Sequence, residues 1–399
     1  MNDKKLKVAI FTDNFFPAVG GTENAVFNLA TALKNLGHEV LVVAPKYKNC
    51  DDSAYVFQVY RKASIKIDNN DNYALPFFSK KLRKALDDFA PDIIHCHSQA
   101  SMLSLAIKYA KKRDLPIIST MHTKFSFCYK ESAKLDIIVK PMLKSIGKKL
   151  KKVDVVTSVS YSMKDEFLQY GFNGQFQVIK NGLSIKSFEP DEIQKFAQDK
   201  YDLKPNDNIF IFVGRITKVK NIQFILDTLE ILNQNGTNFK MIIVGDGNDL
   251  KHFKTVAEEK GIASKVLFLG KITDKKLLAS LYLNANINIF PSIFDNDSLT
   301  IVEAAMYSTP SITIKDTGSS ERLTDGENGF VVENNPKAMA ERITELLLDK
   351  HQIEKAGQNA KNQLVKSWED VTQEYLKLYK KTIENKAKCN KNWYKKGQI

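Results

Sequence analysis

The sequence predicts an α/β protein built from two doubly wound, Rossmann-like domains. Short apolar runs alternate with helical periodicity along nearly the whole chain, which implies right-handed parallel crossovers and sheets covered on both faces. A polar, proline-punctuated stretch, residues 186 to 206, interrupts that rhythm, after which a second series begins. The chain has 399 residues, beyond the size at which one hydrophobic core keeps growing.

The first series opens with LKVAIFT, a continuous apolar run of the kind a buried parallel strand shows. A helix follows from Thr22 or Asn24, with Ala25, Phe27, Leu29, Ala30, Leu33 and Leu36 at helical spacing up to Gly37. EVLVVAP is the next strand. Then come DIIHCHS, a helix through MLSLAIKYAKKR, the strand PIISTMHT, a helix ending near Lys152, VDVVTSV, the helix SMKDEFLQYG and the strand QVIKNG. The stretch SFEPDEIQKFAQDKYDLKPND marks the boundary. The second series runs NIFIFVGR, NIQFILDTLEIL, KMIIVGDG, DLKHFKTVAEEKG, KVLFLG, LLASLYLNA, INIFPS, TIVEAAMYS, PSITI and GFVV. A last long helix, SWEDVTQEYLKLYKKTIENK, has no strand after it, so it is expected to return to the first domain. The expected domains are 1–188 with the helix at about 372–399, and 205–371. Two such sheets facing each other make a crevice at the carboxyl ends of their strands, where doubly wound folds bind ligands.

Composition narrows the partners. Cys50, Cys96, Cys128 and Cys389 are scattered without a CxxC pair, which fits a reducing cytosol. The apolar run before Asp13 is too short for a signal peptide, and no stretch approaches the length of a membrane span. The net charge of +13 is concentrated: between Lys80 and Lys152 there are 17 Lys or Arg against 6 Asp or Glu. Such a patch suits nucleic acid, anionic lipid or an anionic small substrate, and equally a solvated basic face.

Candidate chemistry lies just after strands. Gly20 and Gly21 precede the first helix, where paired glycines let a backbone approach a diphosphate; a ligand-free tight turn explains them equally well. They arrive too late after the strand for the dinucleotide fingerprint GxGxxG, which disfavours a nicotinamide dehydrogenase. VGRITKVKN puts Arg215 and Lys220 in a loop opening a helix, a pair suited to the charge accumulating on a leaving diphosphate. Gly245 and Gly247 bracket Asp246 in a turn at the same strand-end level. His122 sits at the end of STMHT, where an ordinary loop histidine is the alternative. His95 and His97 form an HCH group, but neighbouring strand positions point to opposite faces, so a metal site is not expected there. In FDNDSLTIVEAAM, Asp295 falls in a loop, Asp297 or Ser298 begins a helix, and Glu303 lies beside the apolar stripe of Leu299, Val302 and Met306. A carboxylate placed so near a core needs hydrogen-bond donors, which vicinal hydroxyls of a ribose would supply; a Glu at a helix edge paired with Lys is the plainer reading.

Taken together, VGGTEN, HTK, VGRITKVKN, GDGNDL, FPSIFDNDSLTIVEAAMYSTPSI and TGSSERLTDGENGFVV stand in the order and spacing that resembles the retaining family-4 glycosyltransferases of the GT-B fold. The resemblance covers nearly the whole chain. A narrower likeness, to bacterial enzymes that glucosylate diacylglycerol, rests on DIIHCHS, STMHT and the basic helix before VDVVTSV. The resemblance implies transfer of a hexose from a nucleotide diphosphate sugar, with glucose and UDP favoured, and no cofactor beyond that co-substrate. It implies that Glu303 holds the ribose hydroxyls and that Asp295 contacts the donor sugar. By the same likeness Arg215 and Lys220 bind the diphosphate, Gly20 and Gly21 approach the phosphates, and His122 lies near the sugar 6-hydroxyl. Gly245, Ser298 and Leu299 complete the donor-binding set. The family usually has Glu at position 295 and a Phe-Gly pair where this chain has Asp297 and Ser298, while Ser308 and Ser311 replace more frequent Gly and Val. These departures put the donor hexose in question.

For the acceptor, DIIVKPMLKSIGKKLKK carries an apolar stripe of Ile137, Ile138, Met142, Leu143, Ile146 and Leu150, with Lys140, Lys144, Lys148, Lys149, Lys151 and Lys152 on the remaining surface. This matches an interfacial helix with lysines reaching anionic headgroups. The alternative is a helix packed on its own domain with a basic edge. A membrane-facing reading implies a peripheral enzyme on the cytoplasmic face with a lipid acceptor; soluble or polyprenyl-linked glycan acceptors stay open. A nucleic-acid partner is not expected, because the basic helix offers few aromatics to stack bases.

Overall fold

The computed structural model describes residues 5–18, 20–48, 50–66, 72–125, 136–184 and 187–396; the side chains of residues 136–138 and 390–396 lie outside that description. The chain divides into two units, Met1–Gly182 with Ser367–Ile399, and Leu183–Lys366.

The strands of the first unit are β1 (Lys7–Phe11), β2 (Glu39–Pro45), β3 (Gln58–Lys62), β4 (Ser64–Lys66), β5 (Asn72–Ala74), β6 (Ile93–Cys96), β7 (Ile117–Met121), β8 (Val155–Ser158) and β9 (Gln177–Val178). Seven of them form a parallel sheet in the order β3-β2-β1-β6-β7-β8-β9, while β4 and β5 make a small antiparallel hairpin. Helices α1 (Gly21–Asn35), α2 (Lys80–Phe89), α3 (Ser101–Arg113), α4 (Asp136–Leu150) and α5 (Met163–Gln169) make the crossovers. Alternation along β1 sends Val8 and Ile10 into one core and Ala9 and Phe11 into the other, as a sheet covered on both sides requires. Residues 46–91, which show no clear period in the sequence, hold β3, the hairpin and α2.

In the second unit α6 (Pro190–Tyr201) comes first. The strands β10 (Ile209–Val213), β11 (Lys240–Val244), β12 (Val266–Gly270), β13 (Ile287–Ile289), β14 (Ser311–Ile314) and β15 (Phe330–Val332) follow. They are parallel in the order β12-β11-β10-β13-β14-β15. Helices α7 (Ile222–Gln234), α8 (Leu250–Glu259), α9 (Lys275–Asn284), α10 (Leu299–Met306), α11 (Pro336–Leu348) and α12 (Lys350–Leu364) connect them. In each sheet the winding reverses once, between β1 and β6 and between β10 and β13. Loops that leave the carboxyl ends of those pairs therefore splay apart and open a ligand-binding crevice.

The stretch read from sequence as a bare boundary contains α6, which belongs to the second unit. Ile193 and Ala197 are buried with Leu277 and Leu281 of α9, and the Ser280 hydroxyl accepts from the Ala197 amide at 2.8 Å. The last helix, α13 (Trp368–Lys396), packs on α1 of the first unit, burying Trp368, Val371, Tyr375, Leu376 and Tyr379 beside Ala25, Leu29 and Leu33. No helix among the described residues is long and apolar enough to cross a membrane.

Helix α4 departs from the interfacial reading. Val139, Leu143, Ile146 and Leu150 sit in the core of their own unit and Met142 packs against it, so this apolar stripe is spent inside the protein rather than offered to a bilayer. Ile137 and Ile138 lie outside the described side chains. Lys149 also leaves the outward set: its ammonium donates to the carbonyls of Ala100 at 2.8 Å and Gln99 at 3.3 Å, and burial lowers its pKa from the ordinary lysine range. Lys140, Lys144, Lys148, Lys151 and Lys152 are exposed. What permits the close docking is Gly147, where a Cβ would stand 1.9 Å from the carbonyl oxygen of Tyr170. Gly147→Ala is expected to push α4 off that carbonyl and cost about 1–3 kcal/mol of stability, as overpacking does. A denaturant midpoint unchanged from the parent would refute this account of the helix.

Candidate active site

The loop after β10 begins at Gly214, passes through Arg215, and tightens into one helical turn over Lys218–Lys220 before α7. It is braced by the loop after β11. Gly214 and Ile216 donate backbone hydrogen bonds to the carbonyls of Val244 and Asp246 at 3.0 and 2.9 Å. The two chains approach so closely that a Cβ on Gly245 would lie 1.8 Å from the Gly214 oxygen, and one on Gly247 2.1 Å from that of Ile216. Gly245 also has a φ of +141°, so the chain itself accounts for a glycine there. Arg215 is exposed at the tip, and among the described residues no carboxylate pairs with it.

Lys220 reaches across to the loop after β13. Its ammonium donates to both oxygens of Asp295, at 2.6 and 2.7 Å, and lies 5.6 Å from the centroid of the Phe290 ring. The two side chains keep 22% and 24% of their surface exposed, so a ligand can reach the pair. Asn221 adds a second tie, donating to the Pro291 carbonyl at 3.3 Å. Asp295 is held from behind by Gly318, where a Cβ would meet the Asp295 carbonyl oxygen at 2.3 Å.

The two residues that replace the family's Phe-Gly pair have separate fates. Asp297 turns inward and pairs with Arg322, Nη2 to Oδ1 at 2.5 Å and Nε to Oδ1 at 2.6 Å, with 3% and 5% of the two side chains exposed. Ser298 takes the N-cap position of α10, its hydroxyl 2.8 Å from that of Thr300, and Leu299 opens the helix. A turn later, Glu303 accepts from the hydroxyl of Tyr282 of α9 at 3.2 Å. Burial raises the pKa of the Glu303 carboxyl above the ordinary range, and the Tyr282 hydrogen bond opposes that rise only in part. The carboxyl is partly buried and has one neutral side-chain donor among the described residues, so it is incompletely solvated.

In the first unit, His122 follows β7 and is half-buried. Its Nε2 lies 2.8 Å from Nδ1 of His97, whose Nε2 lies 3.2 Å from Nδ1 of His95. The expectation that the HCH pair diverges is overturned: residues two apart share a face, and the His95 and His97 rings stand 4.0 Å apart between centroids. Burial, with smaller repulsion from neighbouring histidines, holds the pKa of His95 at about 3 and that of His97 well below its usual value. Among the described residues no group of three His, Cys, Asp or Glu side chains is arranged to hold a metal ion.

Gly20 takes the N-cap position of α1 in an extended conformation without a side-chain capping bond, and Gly21 is the first helical residue, with nothing within 4 Å of where a Cβ would be. Glu23 stands over Gly20 and is itself buried, so the first turn already carries an acid. Asp13, not singled out by sequence, holds the start of α3 by accepting from the amides of Ala100 and Met102 at 2.9 and 3.1 Å. Its signal is an acid two residues beyond a buried strand. Tyr282 and Arg322 left no comparable signal, because their partners lie 21 and 25 residues away.

Two family profiles match the chain. The one described as Glycosyltransferase Family 4 matches residues 19–186, and the one described as Glycosyl transferases group 1 matches residues 193–363. An alpha-monoglucosyldiacylglycerol synthase of Acholeplasma laidlawii is 25% identical over 361 residues, covering 85% of this chain and 87% of the relative. A protein of the same name from Streptococcus pneumoniae is 28% identical over 315 residues, 77% of this chain and 70% of the relative. Among solved structures, Anabaena HepE in complex with UDP-glucose superposes with a TM-score of 0.70 at 18% identity, covering 95% of this chain and all of that one.

Two outcomes follow from the buried acids. Asp297→Leu or Arg322→Leu alone strands a buried charge and is expected to cost about 3–5 kcal/mol, whereas the double substitution recovers much of that loss. Additive losses in urea titrations would show the pair to be uncoupled. For Glu303 the raised folded-state pKa means that stability present below the unfolded carboxyl pKa is lost as pH rises through the folded value. Glu303→Gln is therefore expected to melt higher than the parent at pH 7, with the advantage shrinking toward pH 4. A lower melting temperature at pH 7 would contradict it.

Proposed function

The chain belongs to the family 4, group 1 glycosyltransferases, retaining enzymes that use nucleotide-sugar donors, and we propose that it moves glucose from UDP-glucose to diacylglycerol or another glycolipid acceptor. The observation that carries the donor half is the Lys220–Asp295 pair, which sets a cation and an acid side by side at the winding reversal of the second sheet, with exposed Arg215 earlier in the same loop as Lys220.

In this reading Arg215 and Lys220 hold the diphosphate and offset the negative charge that grows on it as the glycosidic bond breaks. Lys220 is recruited from Asp295 as the diphosphate arrives, and Asp295, released from its partner, accepts from a hydroxyl of the hexose. Glu303 exchanges part of its single tyrosine contact for the two ribose hydroxyls, which repays the cost of its burial. Gly245, Ser298 and Leu299 contribute backbone to the donor, with Gly245 also needed for the fold of its loop. Gly20 and Gly21 bring free amides to the phosphates, and His122 contacts the sugar. The departing phosphate oxygen takes the proton of the acceptor hydroxyl on the face it leaves, so the configuration is retained. No cofactor enters this scheme.

The lipid acceptor is supported by the names of the two synthases and by the exposed Lys140, Lys144, Lys148, Lys151 and Lys152 on the outer side of α4. With the apolar stripe of that helix buried, attachment to a membrane is electrostatic, at about 1 kcal/mol per lysine near an anionic surface and screened within a Debye length. In this reading the enzyme works at the cytoplasmic face, attached peripherally.

Radiolabelled UDP-glucose supplied with diacylglycerol in anionic vesicles is expected to give a glucolipid, with transfer falling as salt rises. Label in a water-soluble or polyprenyl-linked glycan instead would assign the other acceptor class. Combined reversal of Lys144, Lys148, Lys151 and Lys152 to Glu is expected to abolish vesicle sedimentation while UDP affinity stays unchanged; undiminished sedimentation refutes the electrostatic attachment. Glu303→Gln is expected to weaken UDP-glucose binding about 10- to 100-fold, the worth of a hydrogen bond to a charged acceptor. Unchanged affinity in a calorimetric titration would remove Glu303 from the ribose.

A further inference from the structure

The imidazole series behind His122 has no part in the scheme above, yet its contacts are continuous. Tyr379 of α13 lies 2.7 Å from Nδ1 of His95, Nε2 of His95 lies 2.6 Å from the Thr120 hydroxyl, and that hydroxyl is 2.5 Å from Thr157. His97 then joins His95 to His122. His95 and Thr157 are wholly buried and His97 nearly so, which removes water as an alternative partner.

A neutral imidazole carries one N–H, and every nitrogen-to-nitrogen contact needs one proton between its two atoms. The series therefore has two consistent settings, with all N–H groups directed toward His95 or all directed toward His122. A phenol is a better donor than acceptor toward an imidazole, so Tyr379 donates to Nδ1 of His95. That puts the His95 proton on Nε2, facing Thr120, and leaves the single lone pair on Nδ1 of His95 shared between the phenol at 2.7 Å and Nε2–H of His97 at 3.2 Å, since two bare nitrogens would repel each other. Nδ1 of His97 is then an acceptor, which His122 meets with its own Nε2–H.

We propose that His97 is a positioning residue that holds His122 as its Nε2–H tautomer, so that Nδ1 of His122 accepts a hydrogen bond from a hydroxyl of the donor hexose, with Tyr379 fixing the far end of the series. The proposal rests on the reading that His122 meets the donor sugar. With Nε2 committed to His97, any hydroxyl that His122 meets through a ring nitrogen is met by Nδ1. A hydroxyl that must donate is selected over a group that can only accept.

The test uses the full-length chain with UDP-glucose and diacylglycerol vesicles. His97→Ala is expected to lower kcat/KM for UDP-glucose at least about tenfold, the usual scale when a contacting group loses its orientation, and to leave the affinity for UDP unchanged because UDP carries no hexose. His97→Asn, whose amide oxygen can stand where Nδ1 stood and accept from Nε2–H of His122, is expected to recover most of the loss. The double variant His97→Ala with His122→Ala is expected to be no worse than His122→Ala alone. The imidazole ¹⁵N shifts of His122 should report protonated Nε2 in the parent and a tautomeric mixture in His97→Ala and Tyr379→Phe. Additive losses, full activity of His97→Ala, or a parent His122 protonated on Nδ1 would overturn the proposal. If His122→Ala itself leaves turnover intact, the sugar-contact reading fails, and the ¹⁵N shifts still decide whether His97 sets the tautomer.

Discussion

The ion pair of Lys220 with Asp295 is the constraint on which the strand-end loops of the second unit depend. It ties the loop after β10 to the loop after β13, the two loops that leave the sheet where its winding reverses. Apart from the single helical turn at Lys218–Lys220, neither loop has regular structure of its own to fix it there, and each is pressed from behind by another loop at a glycine, Gly245 for one and Gly318 for the other. An exposed pair contributes little stability, and this one is a quarter exposed. Its value is positional: it holds a cation and an acid together at the winding reversal of the second sheet.

Around that pair the protein accepts several costs. Glu303 is partly buried with one phenolic donor, and the Asp297 side chain is buried against Arg322. The second of these is a closed account, two charges satisfying each other out of water, and it fixes the turn that carries Asp295. Glu303 is not closed, since its pKa rises for lack of solvation. A fold that leaves Glu303 under-solvated while sealing Asp297 against Arg322 gives opposite surroundings to two acids on one short segment.

Much of this was legible in the sequence. Buried parallel strands such as KVAIF and IFIFV declare themselves as short apolar runs, and Glu303 stands out as an acid within the apolar pattern of α10. The region 46–91 was not legible, because β3 is a partly exposed edge strand and the hairpin strands are three residues each, too short for a period to emerge. The stripe on α4 was visible, but a stripe says that a face is covered and not by what; here Leu143, Ile146 and Leu150 are covered by the protein's own core. The HCH group was misjudged through the intervening residue: Cys96 points away, while His95 and His97 share a face. Asp297 and Arg322 give no local sign, since a charge pair 25 residues apart is a property of the fold.

The first unit is assembled from both ends of the chain, with Leu183–Lys366 inserted between its parts. During synthesis the sheet from β1 to β9 therefore leaves the ribosome long before Trp368, Tyr375 and Tyr379 exist to cover Ala25, Leu29 and Leu33. The inserted unit is contiguous and can close its core first, so folding need not follow the order of translation. The late-arriving helix also carries the phenol against His95. A nascent or C-terminally clipped chain thus keeps an open apolar face and leaves His95 without its phenol, which couples completeness of the polypeptide to closure of the first unit's core.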